Sequence, residues 1–271
     1  MAIPRKVITS VTLFSALIFI IACSSSKDNS TPSSARSTTY ILKVKDVLGV
    51  TGTVTFIETS STVTTVNIAL AGAPVGTHPA SICQNTAVEG GPVVVSLTPV
   101  DETGKSTTSV TSMTYTQLIA YNGFVKVTKS SSEPNVIVAQ GDIGGNVITN
   151  INKTYKLDTV KTFGVSGTAL FEKRVNGSTL LTITLNGVIA GNQYPSSINL
   201  GSISTIGGGP VTKTLNNVDG ATGKGYTSIS SLDNGLTITY DNWLVYDGYI
   251  NIYQNTVSLN NVISHGNIGT H

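Results

Sequence analysis

Charge is scarce in this chain. Asp, Glu, Lys and Arg make up 11% of the 271 residues, and the formal net charge is only +2. A nucleic-acid surface needs a basic stripe to neutralise phosphates, and no such footprint is present. The folded surface must therefore consist largely of hydroxyls, amides and backbone. Cysteine is rarer still, at two residues, Cys23 and Cys83. If Cys23 is consumed by modification, Cys83 has no partner within the chain, and the fold must hold by packing rather than by a disulfide. Histidine occurs three times, as His78, His265 and His271, which leaves little for a metal centre built on imidazoles. No G-x-S-x-G elbow is present, and serine is too frequent for a nucleophile to be picked by residue type.

The N-terminus carries a different signal. In MAIPRKVITSVTLFSALIFIIA, residues 1–22, Arg5 and Lys6 precede a run from Val7 to Ala22 with no charged side chain. Such a pattern is a secretory signal rather than a membrane span of the mature protein. Ile20-Ile21-Ala22-Cys23 resembles the bacterial lipobox, in which a small residue precedes a cysteine that receives diacylglycerol before the signal peptidase cuts. Cys23 then becomes the first residue of the mature chain. Acyl chains bury at about 0.8 kcal/mol per CH₂, so the lipid is a lasting membrane anchor. Ser24 follows, and the resemblance implies sorting to the outer membrane of a Gram-negative envelope, facing the periplasm or the cell exterior. Residues 24–39, SSSKDNSTPSSARSTT, contain ten Ser or Thr and no large apolar group. That composition reads as a disordered tether, spanning residues 23–39 with the cysteine, whose reach is roughly 20–25 Å.

The remaining chain repeats itself. GVTGTVTF at 49–56 returns as GVSGTALF at 164–171, and TGKS at 103–106 as TGKG at 222–225. LIAYNGFVKV at 118–127 returns as LVYDGYINI at 244–252, and GDIG at 141–144 as GNIG at 266–269. The offset grows from 115 to 125 through Gly, Ser and Asn stretches, as loop insertions do. Two units follow, 40–148 and 153–271. In 62–71, Val66, Ile68 and Leu70 alternate with polar residues, and Leu181, Ile183 and Leu185 repeat the alternation. Period two means strands with one wet face. VTGTVTF, VVVSL, FVKVTK and VIVAQ read likewise, and TYTQLIAY at 114–121 is the one candidate helical turn. The expected fold is all-β, with two tandem antiparallel β-sandwiches of Greek-key or immunoglobulin-like type, or flattened barrels.

The ordered motifs are G-x-[TS]-G-x-x-x-F, H-P-x-x-I, G-G-P-V, V-D-x-x-T-G-K, A-Y-[ND]-G-[FY]-[VI] and G-[DN]-I-G. Together they resemble the CHRD, or chordin-type, domain of bacterial secreted and lipid-anchored proteins, over nearly all of both units. The family pattern implies a His-Ile-His strand after the His-Pro and a further histidine after the Y-[ND]-G strand. Two imidazoles at i and i+2 share a strand face and suit a transition metal, an arrangement similar to that of copper-zinc superoxide dismutase. Here those positions hold Ser81, Cys83 and Thr128 in the first unit and Ser197, Asn199 and Tyr253 in the second. His78 and Cys83 are the residual candidates for a soft metal ion, and two ligands are too few.

Two imitations are set aside as turns. Gly104-Lys105-Ser106 resembles the end of a phosphate loop but lacks its earlier glycine. Asp101 in VDETGK lacks the alternating acids of a calcium loop. The expected function is non-enzymatic and needs no cofactor: a lipid-anchored envelope protein that binds a protein or glycan, or contributes to the cell-surface matrix. Its candidate contact surface comprises residues 77–91 and 192–209 with Tyr121, Tyr246 and Trp243, aromatics able to stack on sugars or anchor an interface. The alternative is a metal-binding or redox protein related to the dismutase-like sandwiches.

Overall fold

Alternating β-branched segments separated by Gly, Asn and Asp turns build sheets and almost nothing else. The computed structural model describes residues 35–161, 163–257 and 259–271. The expected signal peptide, Cys23 and the expected tether up to residue 34 lie outside the described residues. Within the first repeat the strands are β1 (Ser37–Val44), β2 (Thr51–Glu58), β3 (Thr64–Ala71), β4 (His78–Gln84), β5 (Val93–Val100), β6 (Lys105–Val110), β7 (Gly123–Thr128) and β8 (Ile137–Ile143). A helical turn, α1 (Tyr115–Ala120), precedes β7. The second repeat runs β9 (Ile148–Thr159), β10 (Ser166–Arg174), β11 (Thr179–Asn186), β12 (Gln193–Leu200), β13 (Val211–Asp219), β14 (Lys224–Ile229), α2 (Tyr240–Trp243), β15 (Asp247–Tyr253) and β16 (Val262–Gly269).

All pairings are antiparallel. The first repeat forms an eight-stranded sheet in the order β5-β4-β7-β8-β1-β2-β3-β6, and the second a closed barrel in the order β10-β11-β14-β13-β12-β15-β16-β9. Matched strand for strand, the two orders are the same circle. In the second repeat β12, β13 and β14 are paired in succession and β15 returns beside β12, the Greek-key connection. The circle closes differently in the two cases: β13 and β14 share one ladder pair, Asp219 with Lys224, whereas β5 and β6 share none. Both repeats bridge this gap with a threonine hydroxyl. Thr108 Oγ1 accepts the Thr98 N–H at 2.8 Å, and Thr227 Oγ1 accepts the Asn216 N–H at 3.0 Å.

Each core is filled from the alternate positions of its strands. Tyr40 meets Phe56 edge-on at 5.6 Å between ring centroids, and the matching Tyr155 meets Phe171 at 5.5 Å. Leu118 of α1 and its counterpart Trp243 of α2 are both fully buried. The helical turn expected at 114–121 is α1, held by a capping box between Thr114 and Gln117. Thr239 and Asn242 repeat that box for α2, which the sequence reading did not anticipate.

Two boundaries differ from expectation. The sheet begins at Ser37, so residues 37–39 belong to β1 rather than to the tether. Their threonines are β-branched and pair with β2, Thr39 Oγ1 meeting Thr55 Oγ1 at 2.9 Å, and the Arg36–Glu58 ion pair closes that end. Residues 149–152, left between the units by the sequence reading, lie within β9. No linker separates the repeats, because a single 3₁₀ turn at Gly144–Asn146 leads from β8 into β9, and Ala35–His271 pack as one unit.

The repeats are joined by a buried cation. Arg174, at the end of β10, is 0% exposed. Its Nη1 donates to the Asn146 carbonyl at 2.5 Å and stands 3.5 Å from the Asp142 carboxylate of β8. Burial lowers the pKa of this guanidinium and raises that of Asp142, which the Ala87 N–H and Arg174 pull back. Removing one member of a buried ion pair strands the other and typically costs about 3–5 kcal/mol. Arg174→Ala is expected to lose about that much in urea unfolding, and Arg174→Met, which keeps volume without charge, to lose as much or more than a cavity alone explains. A loss below about 1 kcal/mol for both would show that the pair does not hold the repeats together.

Candidate functional site

The shared motifs turn out to be places where backbone approaches backbone. In Y-[ND]-G the tyrosine ring lies over the glycine two residues on. A Cβ on Gly123 would stand 2.5 Å from Tyr121 Cε1, and one on Gly248 would stand 2.6 Å from Tyr246 Cδ1. Tyr121 and Tyr246 are therefore half-buried covers for their own strands, packed against the two cores. In the Thr-Gly-Lys turn after Val-Asp, Gly104 and Gly223 adopt φ of 76° and 67°, a left-handed conformation that favours glycine. Asp101 Oδ1 caps this turn, accepting the N–H of Thr103 at 2.9 Å and that of Lys105 at 3.1 Å. Those bonds, led by the one from the Thr103 hydroxyl, hold the Asp101 carboxyl below its usual range. The lysine and serine after Gly104 enter β6, so this is a turn and not a phosphate loop.

Trp243 is 0% exposed and packs against Phe171 and Tyr246, with centroids at 5.9 and 4.8 Å. It belongs to the core, which corrects its place in the expected contact surface: α2 is a single turn, and its apolar side faces inward.

The three positions of the histidine pattern do converge in the second repeat. Ser197 Oγ donates to Asn199 Oδ1 at 2.7 Å and lies 2.9 Å from the Tyr253 hydroxyl, while Asn199 Nδ2 donates to the Gly209 carbonyl at 2.9 Å. These groups are bonded to one another and to backbone. In the first repeat Ser81 Oγ lies 3.4 Å from Cys83 Sγ, and Thr128 Oγ1 donates to the Pro79 carbonyl at 3.5 Å. Cys83 is a buried free thiol. His78 is buried too, but its Nδ1 lies 2.7 Å from the Lys129 carbonyl and its Nε2 2.8 Å from that of Pro74. Both ring nitrogens are thus engaged by backbone rather than available to Cys83. Among the described residues no group of three or more His, Cys, Asp or Glu side chains is placed to hold a metal ion. His265 is half-buried, and burial lowers its pKa. His271 Nε2 meets Asp247 Oδ1 at 2.6 Å.

A polar cleft of about 160 Å³ lies where the repeats meet. The first repeat contributes Asn85, Thr86, Glu89, Asn122 and Asn146, and the second Asn176, Ser178, Ser228 and Ser230. Every one of these side chains is an amide, a hydroxyl or a carboxylate. Part of the set pins the wall across the junction: Asn176 Nδ2 donates to Asn122 Oδ1 at 2.9 Å, and the Ser228 N–H donates to Glu89 Oε1 at 2.8 Å. Thr86 Oγ1 donates to the other Glu89 oxygen at 2.9 Å. The Asn122 amide nitrogen and the hydroxyls of Ser228 and Ser230 make no hydrogen bond to the described residues, and they remain for a ligand or water. Asn85, Thr86 and Glu89 fall within the expected surface at 77–91, and Asn122 adjoins Tyr121. The expected segment 192–209 contributes nothing to this cleft.

Sequence reasoning missed the second-repeat wall and the buried arginine behind it. The available signal was a break in the repeat: Arg174 aligns with Thr59, and Asp142 with Asn267. No known protein family, curated protein or solved structure matches this chain.

Trp243 emission is expected to be blue-shifted and poorly quenched by acrylamide in the native protein, and Cys83 to resist a thiol reagent until denaturant is added. Ready quenching or fast native labelling would contradict these placements.

Proposed function

We propose that the chain is a non-enzymatic bacterial envelope protein, anchored in the outer membrane by a lipid on Cys23, whose two CHRD-like modules bind a polar extracellular partner in the cleft between them. A glycan fits the lining best. The observation that carries this reading is the cleft itself, walled by both repeats with amides and hydroxyls, of which the Asn122 nitrogen and the Ser228 and Ser230 hydroxyls have no partner among the described residues. Such groups lose little by exchanging water for sugar hydroxyls, and the inter-repeat bonds hold them in place beforehand, which lowers the ordering cost of binding. The resemblance of the ordered motifs to chordin-type modules, each read as a flattened sandwich, agrees with an extracellular binding role. Fold analogy alone does not name the ligand. The N-terminal lipobox and Ser/Thr tether support attachment to the envelope.

The test is a glycan array covering envelope and host oligosaccharides, probed with the purified protein, followed by calorimetry on each hit. Asn122→Ala with Ser230→Ala is expected to weaken a true hit by about tenfold or more, as lost hydrogen bonds at about 1 kcal/mol each allow. No retained glycan, or hits indifferent to the double substitution, would remove the cleft from consideration. In cells, Cys23→Ser is expected to abolish palmitate labelling and to release the protein from the membrane fraction. Unchanged labelling would defeat the anchor.

A further inference from the structure

A second hollow lies on the outer side of the first sheet and shares no lining residue with the polar cleft. It is a groove of about 620 Å³, within the roughly 300–1,000 Å³ usual for small-molecule sites. Its floor is drawn from β1 and β8, and its walls from the loop before β5 and the start of β9. The two ends of the groove differ in character. At one end the Ala87 N–H donates to Asp142 Oδ1 at 2.7 Å, and Arg174, the ladder partner of Ile148, stands 3.5 Å from the same carboxylate. These contacts gather Val88 and Ile148 near Ile41, which the register of β1 on β8 carries to the level of Asp142. Ile41 and Val88 are 67% and 40% exposed although both are apolar. Asp142 is the one acid in the lining, and Arg174 and the Ala87 N–H already engage it.

The other end carries Lys43 and Lys45. Both are exposed, and neither forms an ion pair or a side-chain hydrogen bond with a described residue. The charge of Lys43 is felt by Asp142 and by Glu172, which does not line the groove. Between the two ends is Gln140. In the ladders it stands opposite Lys43 of β1 and Lys126 of β7, on the outward side, since its neighbour Ala139 fills the core. It is nevertheless only 7% exposed, and its Oε1 has no hydrogen-bond partner. A buried polar group left unpaired is costly, and native proteins keep few of them. An amide buried in the floor of a groove therefore points to a partner from outside the chain.

The second repeat lacks these features. Ile41, Lys43 and Gln140 align with Lys156, Asp158 and His265. Lys156 and Asp158 satisfy each other at 2.6 Å, so the equivalent face presents neither an unpaired lysine nor an exposed isoleucine at those positions. What distinguishes the groove is particular to the first repeat.

We propose that this groove binds a single-chain anionic amphiphile, a fatty-acid carboxylate being the simplest, with its head at Lys43 and Lys45 and its chain along Ile41, Val88 and Ile148. The argument is complementarity. Unpaired cations stand at one end, exposed apolar side chains at the other, and one unsatisfied amide between them. No hydrogen bond fixes which way the Gln140 amide points, so it can present Nε2 to a carboxylate. The stretch from Thr39 to Lys45 spans about 20 Å, which accommodates a long acyl chain. A chainless anion would use the lysines and leave the apolar end wet, and an uncharged chain would cover the apolar end and leave the lysines unanswered.

The test is photo-crosslinking of the full chain, held in a phosphatidylcholine bilayer, with a diazirine-bearing palmitate, followed by peptide mapping. Adducts are expected on the peptides that contain residues 39–45, 87–88 and 147–150, and excess palmitate is expected to suppress them where hexadecanol and inorganic phosphate do not. Lys43→Glu with Lys45→Glu is expected to cut labelling of these peptides by at least about tenfold. Lys156→Glu, at the aligned face of the second repeat, is expected to leave it unchanged and controls for reversed charge. Gln140→Leu supplies a second readout: labelling falls several-fold while the urea midpoint stays or rises. A glutamine without a ligand would move the midpoint alone. Labelling spread over the whole surface, or indifferent to the double charge reversal, overturns the proposal. Equal suppression by hexadecanol overturns it in favour of an uncharged lipid, and suppression by inorganic phosphate overturns it in favour of a chainless anion.

Discussion

The arrangement of this molecule depends on one buried guanidinium. Arg174 has no solvent exposure and few partners: the Asn146 carbonyl, the Asp142 carboxylate at 3.5 Å, and no hydrogen bond to Nε or Nη2 within the described residues. A cation so placed needs counter-charge, which Asp142 of β8 supplies most directly with Glu89 and Glu172 contributing, so the end of β10 is tied to β8. The 3₁₀ turn between the repeats leaves no slack, and main-chain bonds from Val175 to Val147 and from Asn176 to Gly145 run beside the ion pair. The cleft walls meet because of this junction. Its amides and hydroxyls come from two separate sheets and would face open water if the sheets parted.

Much of the fold was legible, because the forces that set it act on single residue types. Period-two alternation marked β3 and β11, and the strand circle repeats with the motifs. Those motifs were legible for a reason the sequence alone did not supply. Gly123 and Gly248 recur because a tyrosine ring occupies the space of a Cβ, and Gly104 and Gly223 because a capped turn needs positive φ. Short polar strand ends were not legible: Ser37–Thr39 has the composition of a tether, and only pairing with β2 makes it sheet. Flattened barrels were among the expected forms, but which repeat closes was not legible, since closure rests on one ladder pair and one threonine hydroxyl.

The site was less legible than the fold. Aromatic residues were reasonable candidates for contact, yet Trp243 fills a core and both tyrosines cover glycines. The junction residues are ordinary polar types whose meaning comes from convergence: Asn122 and Asn176 are 54 positions apart and share a hydrogen bond. What a repeat shares is its scaffold, so its departures are where individual behaviour resides. Arg174 against Thr59, Asp142 against Asn267, and nine residues against three after the sixth strand are all such departures.

The last of these has a consequence for how each sheet meets itself. Residues 230–238 lay chain along β13, where Asp233 meets both Thr212 and Thr214. The first repeat has only residues 111–113 at that place, and its two end strands are bridged at Thr98. A six-residue insertion thus separates a seam lined by its own chain from one that side-chain hydroxyls span.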